Sequence, residues 1–310
     1  MRLLTTFCRG MEFLKENLPE FEIRCLKNAD IEFIKSAEIA LVFHWKEFEK
    51  HLPQMKNLRM IQSLTAGVDH FNFSVIPDDV VVCANSGANA DGVAEHAVAL
   101  TLAAAKKIVW RDRQMRDGKF PQLEESILIK GKNVLVVGLG HVGQRCARIF
   151  RCMGANVFGV NRTGKCPLDG ITVEKIEHLE DLLPKMDIVI LALPLTKDTR
   201  DLFDKNKFSM MKDNAIFVNV ARGKIVVEKD LYEHLVNNPR FIAALDVWWK
   251  YGKEFHQNYP FEKLQNVILS PHCAGSYEGW FESLLRYAVE NIKAYLSGNP
   301  KNIVDKKAYL

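Results

Sequence analysis

The stretch VLVVGLGHVGQRCARIF, Val134 to Phe150, decides the fold. Its first four residues are apolar without alternation, as in a strand covered on both faces of a parallel sheet. Three glycines follow, Gly138, Gly140 and Gly143, spaced G-x-G-x-x-G, and the remainder carries apolar residues at helical spacing. The first glycine permits a tight turn, the second lets backbone amides approach a pyrophosphate, and the third lets the helix pack closely on the strand. The helix N-terminus then faces the anion. Glycines alone would fit many turns, but strand, glycines, helix and next strand in this order point to a dinucleotide-binding βαβ unit.

Downstream, NVFGV ends at Asn161-Arg162-Thr163, where a carboxylate would ordinarily accept the adenosine ribose hydroxyls. Without a carboxylate, a 2′-phosphate is not repelled, and the Arg162 guanidinium can bind it through a charge-assisted contact. NADP is therefore expected ahead of NAD; if Asn161 merely holds a turn and Arg162 is solvated, NAD is acceptable. Together with NVLVV and NVFGV, the segments DIVILAL, AIFVNV, FIAALDV and NVILS make six strand candidates. Three of these end on chemically loaded sequence: NVARG (Asn219 to Gly223), ALDV (Ala244 to Val247) and SPHCAG (Ser270 to Gly275). Open α/β sheets bind ligands at such strand ends. Singly, an arginine there is usually a surface ion-pair partner and a histidine usually structural.

Upstream, Leu3 to Phe7, Ile23 to Leu26, Ile39 to Phe43, Met60 to Leu64 and Val80 to Ala84 alternate with helix-like segments, a second parallel βα rhythm. VAEHAVALTLAAAKKIV, Val93 to Val109, is rich in helix formers and nearly apolar enough to be buried all round, with Asp91 and Gly92 as its start. Arg111 to Lys130 then reads as an arm or linker, and Tyr277 to Leu296 as a helix.

Composition limits the function classes. The 310 residues are enough for two domains of ordinary size, and the 42 basic against 38 acidic residues are spread along the chain, which gives no reason to expect nucleic acid or a membrane surface. Apolar runs break well short of a bilayer span, and MRLLTTFCRG turns polar too soon for a signal peptide, so a cytoplasmic location is expected. The seven cysteines form no C-x-x-C pair and are read as buried thiols in a reducing compartment, with no structural zinc and no metal site.

With NVARG, ALDV and SPHCAG in place, the chain resembles the D-isomer-specific 2-hydroxyacid dehydrogenase family from about Ile39 to Tyr295, most closely in LPLTKDTRDLFDKNKFSMMKDNAIFVNVARGKIVVEKDL. The resemblance implies an α/β fold of two domains. One is a Rossmann-type, doubly wound parallel sheet over 92 to 274; the other is a flavodoxin-like substrate (lid) domain formed by 1 to 91 and 275 to 310. It implies that Arg222 binds the substrate carboxylate and polarises its carbonyl, that His272 transfers the proton, and that Asp246 contacts the nicotinamide end. Around the dinucleotide it adds His141, Val142, Leu193, Pro194 and Val220 to the glycines and to Asn161, Arg162 and Thr163. LTAGVDHFN resembles the loop whose amides receive the substrate carboxylate, at Thr65, Ala66, Gly67 and Val68. The chemistry is coherent: one fixed cation can orient an anion and stabilise charge developing on the adjacent carbonyl oxygen, while imidazole moves a proton near neutral pH.

The sequence departs from this pattern at one point. The family places a glutamate five residues beyond the ALDV aspartate, beside the histidine, and here that residue is Tyr251; Glu254, the nearest carboxylate, is expected to swing in from the glycine-containing loop and take the catalytic glutamate's place beside His272, the alternative being that nothing replaces it. The expected activity is hydride transfer between NADP(H) or NAD(H) and a small 2-oxo or D-2-hydroxy acid, by a homodimer built on the apolar helix and the arm. A short-form 3-phosphoglycerate dehydrogenase, or a dinucleotide-sensing corepressor-like binding protein, are the alternatives.

Overall fold

The computed structural model describes all residues, 1–310. They divide into two compact units: Met1–Asn89 with Tyr277–Leu310, and Ala90–Ser276.

In the first unit, β1 (Arg2–Thr5), β2 (Glu22–Cys25), β3 (Ile39–Val42), β4 (Met60–Ser63) and β5 (Val81–Cys83) form a parallel sheet of order β2-β1-β3-β4-β5. This is the flavodoxin-like order. Alternate residues of β3 serve opposite cores: Ile39 and Leu41 pack with Leu284, Leu285, Ala288 and Ile292 of the helix Trp280–Leu296, whereas Ala40 and Val42 pack with Trp45 and Phe48. The C-terminal helix therefore closes one face of the N-terminal sheet, because its apolar stripe has to be buried against another apolar surface.

The cysteine expectation needs correction here. Cys8 and Cys25 are joined by a disulfide, Cα to Cα 5.3 Å, between the loop after β1 and the end of β2. Loop position, which spacing does not reveal, brings the pair together. Such a bond is kept in oxidising surroundings, so a reducing compartment can be argued only from the other five thiols. Of these, Cys83 and Cys146 are buried, and burial pushes their thiol pKa values up to about 11 and about 12, whereas Cys152 is exposed and Cys166 and Cys273 half-buried, against the expectation of burial. No helix is long and apolar enough to cross a membrane.

The second unit holds β6 (Asn133–Val137), β7 (Asn156–Asn161), β8 (Thr172–Lys175), β9 (Ile188–Leu191), β10 (Ile216–Asn219), β11 (Ile242–Leu245) and β12 (Val267–Leu269). All are parallel, in the order β12-β11-β10-β9-β6-β7-β8, so the winding reverses between β6 and β9. Both faces are buried: Val134, Val136, Ile188, Ile190, Ile216 and Val218 face one core, and Leu135, Val137, Val189, Leu191 and Phe217 face the other. This is why these strands read as unbroken apolar runs. β8, TVEK, was not among the expected strands; it is a mostly exposed edge with no apolar run to betray it.

Two boundaries differ from expectation. The apolar helix runs Ala90–Ala105, and after Lys107, in the left-handed region at φ 54°, a separate helix spans Ile108–Arg116. The first half of the expected arm is thus helical, and its own unit covers much of the apolar helix through Ala94, Ala97, Val98, Leu100, Ala104 and Ala105. The exposed apolar surface lies further on, at Ile108, Met115, Phe120, Leu123 and Leu128.

Candidate active site

Each glycine of the turn after β6 has its own reason in the structure. Gly138 sits at φ 96°, and a Cβ there would lie 2.6 Å from the Ala192 carbonyl oxygen. At Gly143 a Cβ would lie 1.8 Å from the Gly138 carbonyl oxygen, so the helix His141–Cys152 can approach its strand only through glycine. Around Gly140 nothing lies within 4 Å of a Cβ, and this residue precedes the first helical turn without a capping side chain. Open space over an uncapped helix N-terminus, at the sheet's switch point, fits a dinucleotide pyrophosphate held by the amides of His141 and Val142. Leu193 and Pro194 follow β9, the neighbour of β6, and Val220 follows β10, the next strand beyond β9; Leu193 and Val220 are buried.

At the end of β7 the Asn161 carboxamide is turned into its own loop. Its Oδ1 accepts from Thr163 N at 3.0 Å and Gly164 N at 2.7 Å, and its Nδ2 donates to Lys165 O at 2.7 Å. Arg162 and Thr163 are exposed beside it.

Arg222 follows β10. The buried Asn219 side chain folds its loop, accepting from Ala221 N and donating to Arg222 O, both at 3.0 Å, while Arg222 Nη1 donates to Ala221 O at 2.8 Å. Gly223 lets this loop meet the next: a Cβ there would lie 2.3 Å from both C and O of Trp248.

His272 follows β12 and is exposed, with its backbone at φ 57°. A non-glycine residue in that region costs about 1–3 kcal/mol and persists only where its surroundings hold it there. The holding group is Asp246, after β11 and only 1% exposed. Its Oδ1 accepts from Cys273 N at 3.0 Å and Ser270 Oγ at 2.5 Å, and its Oδ2 accepts from Ala274 N at 3.1 Å. The buried Trp248 indole adds a bond to Ser270 O at 2.9 Å. Asp246 thus grips the two residues that follow His272. His96, to which the sequence suggested no role, reaches the same cluster, Nε2 to Ser270 Oγ 2.9 Å. Donor atoms of His96, Asp246 and Cys273 lie within 4.8 Å of one another, close enough for a cation, but the Asp246 oxygens are already engaged by N–H and O–H donors.

Tyr251 stands against His272, ring centroids 5.1 Å apart, with its hydroxyl accepting from Trp248 N at 3.0 Å. Glu254 is exposed in the following loop and is not brought to the histidine by any hydrogen bond or ion pair. Gln257 pins that loop from within, accepting from Trp249 N and Lys250 N and donating to Lys250 O. Nothing in the sequence marks Gln257, whose role comes from being buried beneath a loop with unpaired amides.

The loop Thr65, Ala66, Gly67, Val68 belongs to the other unit, directly after β4. Ser63 Oγ accepts from Thr65 N at 3.1 Å, and Thr65 Oγ1 donates to Gly67 O at 2.8 Å. The amides of Ala66, Gly67 and Val68 donate to no group within the protein, an arrangement suited to an anion.

Comparison with known proteins agrees with this geometry. Residues 98–274 match the model of the D-isomer specific 2-hydroxyacid dehydrogenase NAD binding domain. A D-3-phosphoglycerate dehydrogenase of Archaeoglobus fulgidus is 37% identical over 71% of this chain, which spans only 42% of that protein's length. A glyoxylate reductase of Aeropyrum pernix is 30% identical over 83% of this chain and 79% of its own. A solved D-isomer specific 2-hydroxyacid dehydrogenase from Xanthobacter autotrophicus Py2, in complex with NADPH and MES, superposes with a TM-score of 0.84 at 26% identity, covering 100% of this chain and 99% of that one. With the glycine turn, the strand-end Arg222 and His272 and the family match on one unit, the chain belongs to the D-isomer specific 2-hydroxyacid dehydrogenase family.

Proposed function

We propose that the protein is an oxidoreductase that moves a hydride between NADP(H) and a small 2-oxo or D-2-hydroxy acid, chiefly reducing the oxo acid. The supporting observation is the adjacency of β10, β11 and β12, whose C-terminal loops carry Arg222, Asp246 and His272 in the unit that also carries the glycine turn. The Arg222 guanidinium orients the substrate carboxylate and stabilises negative charge growing on the carbonyl oxygen. His272 delivers the proton that converts this oxygen to a hydroxyl. The dinucleotide, when bound, supplies the hydride. Glyoxylate, hydroxypyruvate, branched and aromatic 2-oxo acids and a phosphorylated three-carbon 2-oxo acid, each assayed with NADPH and NADH, test the reading. If no pair changes absorbance at the nicotinamide band, it is wrong. Turnover of the phosphorylated acid alone would select the phosphoglycerate dehydrogenase reading.

Asn161 holds a turn and Arg162 is exposed, an arrangement that leaves NAD acceptable; the preference for NADP rests on the lack of a carboxylate at Asn161 and on the guanidinium of Arg162 beside it. An aspartate could still accept from Thr163 N and Gly164 N, so the turn would survive the exchange apart from its bond to Lys165 O. Asn161→Asp with Arg162→Ala should therefore shift the ratio of kcat/KM values toward NADH by about tenfold or more, the size of one lost charge-assisted contact. A parent that already uses NADH as well as NADPH would contradict the assignment.

Tyr251 in place of the family's glutamate should narrow the pH range of reduction. A carboxylate beside an imidazole favours the imidazolium, so Tyr251→Glu should carry reduction upward by about one pH unit. Glu254→Gln should leave the profile where it is, because Glu254 is exposed and forms no hydrogen bond or ion pair with His272. A downward shift in Glu254→Gln would restore that glutamate to the mechanism.

A homodimer is proposed on the exposed side chains of Ile108, Met115, Phe120, Leu123 and Leu128. Apolar side chains so close in sequence are costly to leave in water. Phe120→Asp with Leu123→Asp should turn a dimer into a monomer in sedimentation at micromolar concentration. Sedimentation of the parent as a monomer would remove the proposal.

A further inference from the structure

We infer that His96 is a positioning residue for His272, acting through Ser270 and Asp246. The inference rests on the reading of His272 as the proton-transferring group. A serine hydroxyl carries one proton. Ser270 Oγ lies 2.5 Å from Asp246 Oδ1, an oxygen that can only accept from it, so the serine proton is committed to Asp246. The contact between His96 Nε2 and Ser270 Oγ, 2.9 Å, is therefore donated by the histidine. That assigns His96 its proton on Nε2, which also lies 3.4 Å from Asp246 Oδ1, and makes a directed chain: His96 to Ser270, Ser270 to Asp246, and Asp246 to the amides of Cys273 and Ala274.

The end of the chain is where positioning is needed. His272 sits at φ 57°, and the two residues after it are held by one carboxylate, one oxygen each. If the carboxylate rotates, both amides lose their acceptor together and the imidazole is re-aimed. Ser270 limits that rotation from one side, and the Trp248 indole, bonded to Ser270 O, holds the serine backbone. His96 orients the hydroxyl by taking its lone pair, and it is anchored on the helix Ala90–Ala105, whose neighbouring Ala94, Ala97 and Val98 are buried in the core. His96 is half-buried, and nothing in this role requires it to meet substrate.

The test compares the parent with His96→Leu, His96→Gln, Ser270→Ala and the double variant His96→Leu/Ser270→Ala, using the best 2-oxo acid and dinucleotide. His96→Leu should lower kcat about tenfold, with KM and dinucleotide affinity within about twofold, because a re-aimed proton donor is felt in the transition state. His96→Gln, whose amide can donate to the same hydroxyl, should recover most of the loss. Ser270→Ala should fall similarly, and the double variant no further than the weaker single, since both break one chain. Parent kcat in His96→Leu, or losses that multiply in the double variant, would overturn the inference. So would loss of parent activity on treatment with a chelator, which would make the cluster a cation site. Should His96→Leu fail to fold, Ser270→Ala and His96→Gln carry the same comparison. A parent that turns over no 2-oxo acid refutes the functional reading instead. The positioning claim is then read from amide hydrogen exchange at Cys273 and Ala274, expected to quicken at least about tenfold in Ser270→Ala and overturned if unchanged.

Discussion

Arg222→Gln is expected to lower kcat/KM for 2-oxo acid reduction by about 100-fold or more, corresponding to about 3 kcal/mol of transition-state stabilisation. The loss should fall on kcat and on substrate KM together, because one cation is proposed to hold the carboxylate before reaction and the carbonyl charge during it. Dinucleotide affinity should be nearly unchanged. The loop around Arg222 is shaped by Asn219 and by the close approach of Gly223 to Trp248, neither of which needs the guanidinium, whose bond to the loop, to Ala221 O, a glutamine amide can also donate. The variant should therefore fold and bind dinucleotide normally, and fluorescence titration with NADPH separates a lost substrate contact from a damaged domain. Unchanged kcat/KM would remove Arg222 from the mechanism.

The second large effect is expected at Gly143. An alanine Cβ would lie 1.8 Å from the Gly138 carbonyl oxygen, and backbone cannot move aside as the end of a flexible side chain can. Gly143→Ala should cost about 3 kcal/mol, the upper end of ordinary overpacking. For a domain of this size, that corresponds to a fall in Tm of about 6–12 °C. Gly140→Ala supplies the contrast, since nothing lies within 4 Å of its Cβ and its backbone is extended, at φ −75° and ψ −163°. It should melt with the parent and yet bind dinucleotide at least about tenfold more weakly, because the methyl occupies the space over the helix N-terminus. Equal melting of Gly143→Ala and the parent would mean that the helix can shift away from the strand. Equal dinucleotide affinity in Gly140→Ala would place the pyrophosphate elsewhere.

Much of the fold could be read from residues alone. Strands covered on both faces have to be apolar at every position, so β6, β9, β10 and β11 announce themselves, whereas β8, an exposed edge held by backbone pairing to β7, carries no such signal. Helix Ala90–Ala105 was legible as a helix, but its break at Lys107 was not, because a left-handed lysine leaves no compositional mark. The reading of seven thiols failed at Cys8 and Cys25 because a disulfide depends on where two loops meet in space.

By itself, the sequence determined the two parallel βα series, the glycine turn and the strand ends that carry Arg222, Asp246 and His272, since each is set by local pattern: hydrophobic period, glycine spacing and position after a strand. Only the tertiary structure decided what those side chains do to one another. It turned Asn161 into its own loop, set Tyr251 against His272 with Glu254 left in solvent, and joined residues as distant as His96 and Ser270 beside the loop that carries His272. Asp246 is the clearest case. Its place after β11 follows from the run of apolar residues before it, but its grip on the amides of Cys273 and Ala274 exists because β11 and β12 are neighbours in the sheet. Which strands become neighbours is settled by packing across the whole chain, at separations that local sequence patterns do not span.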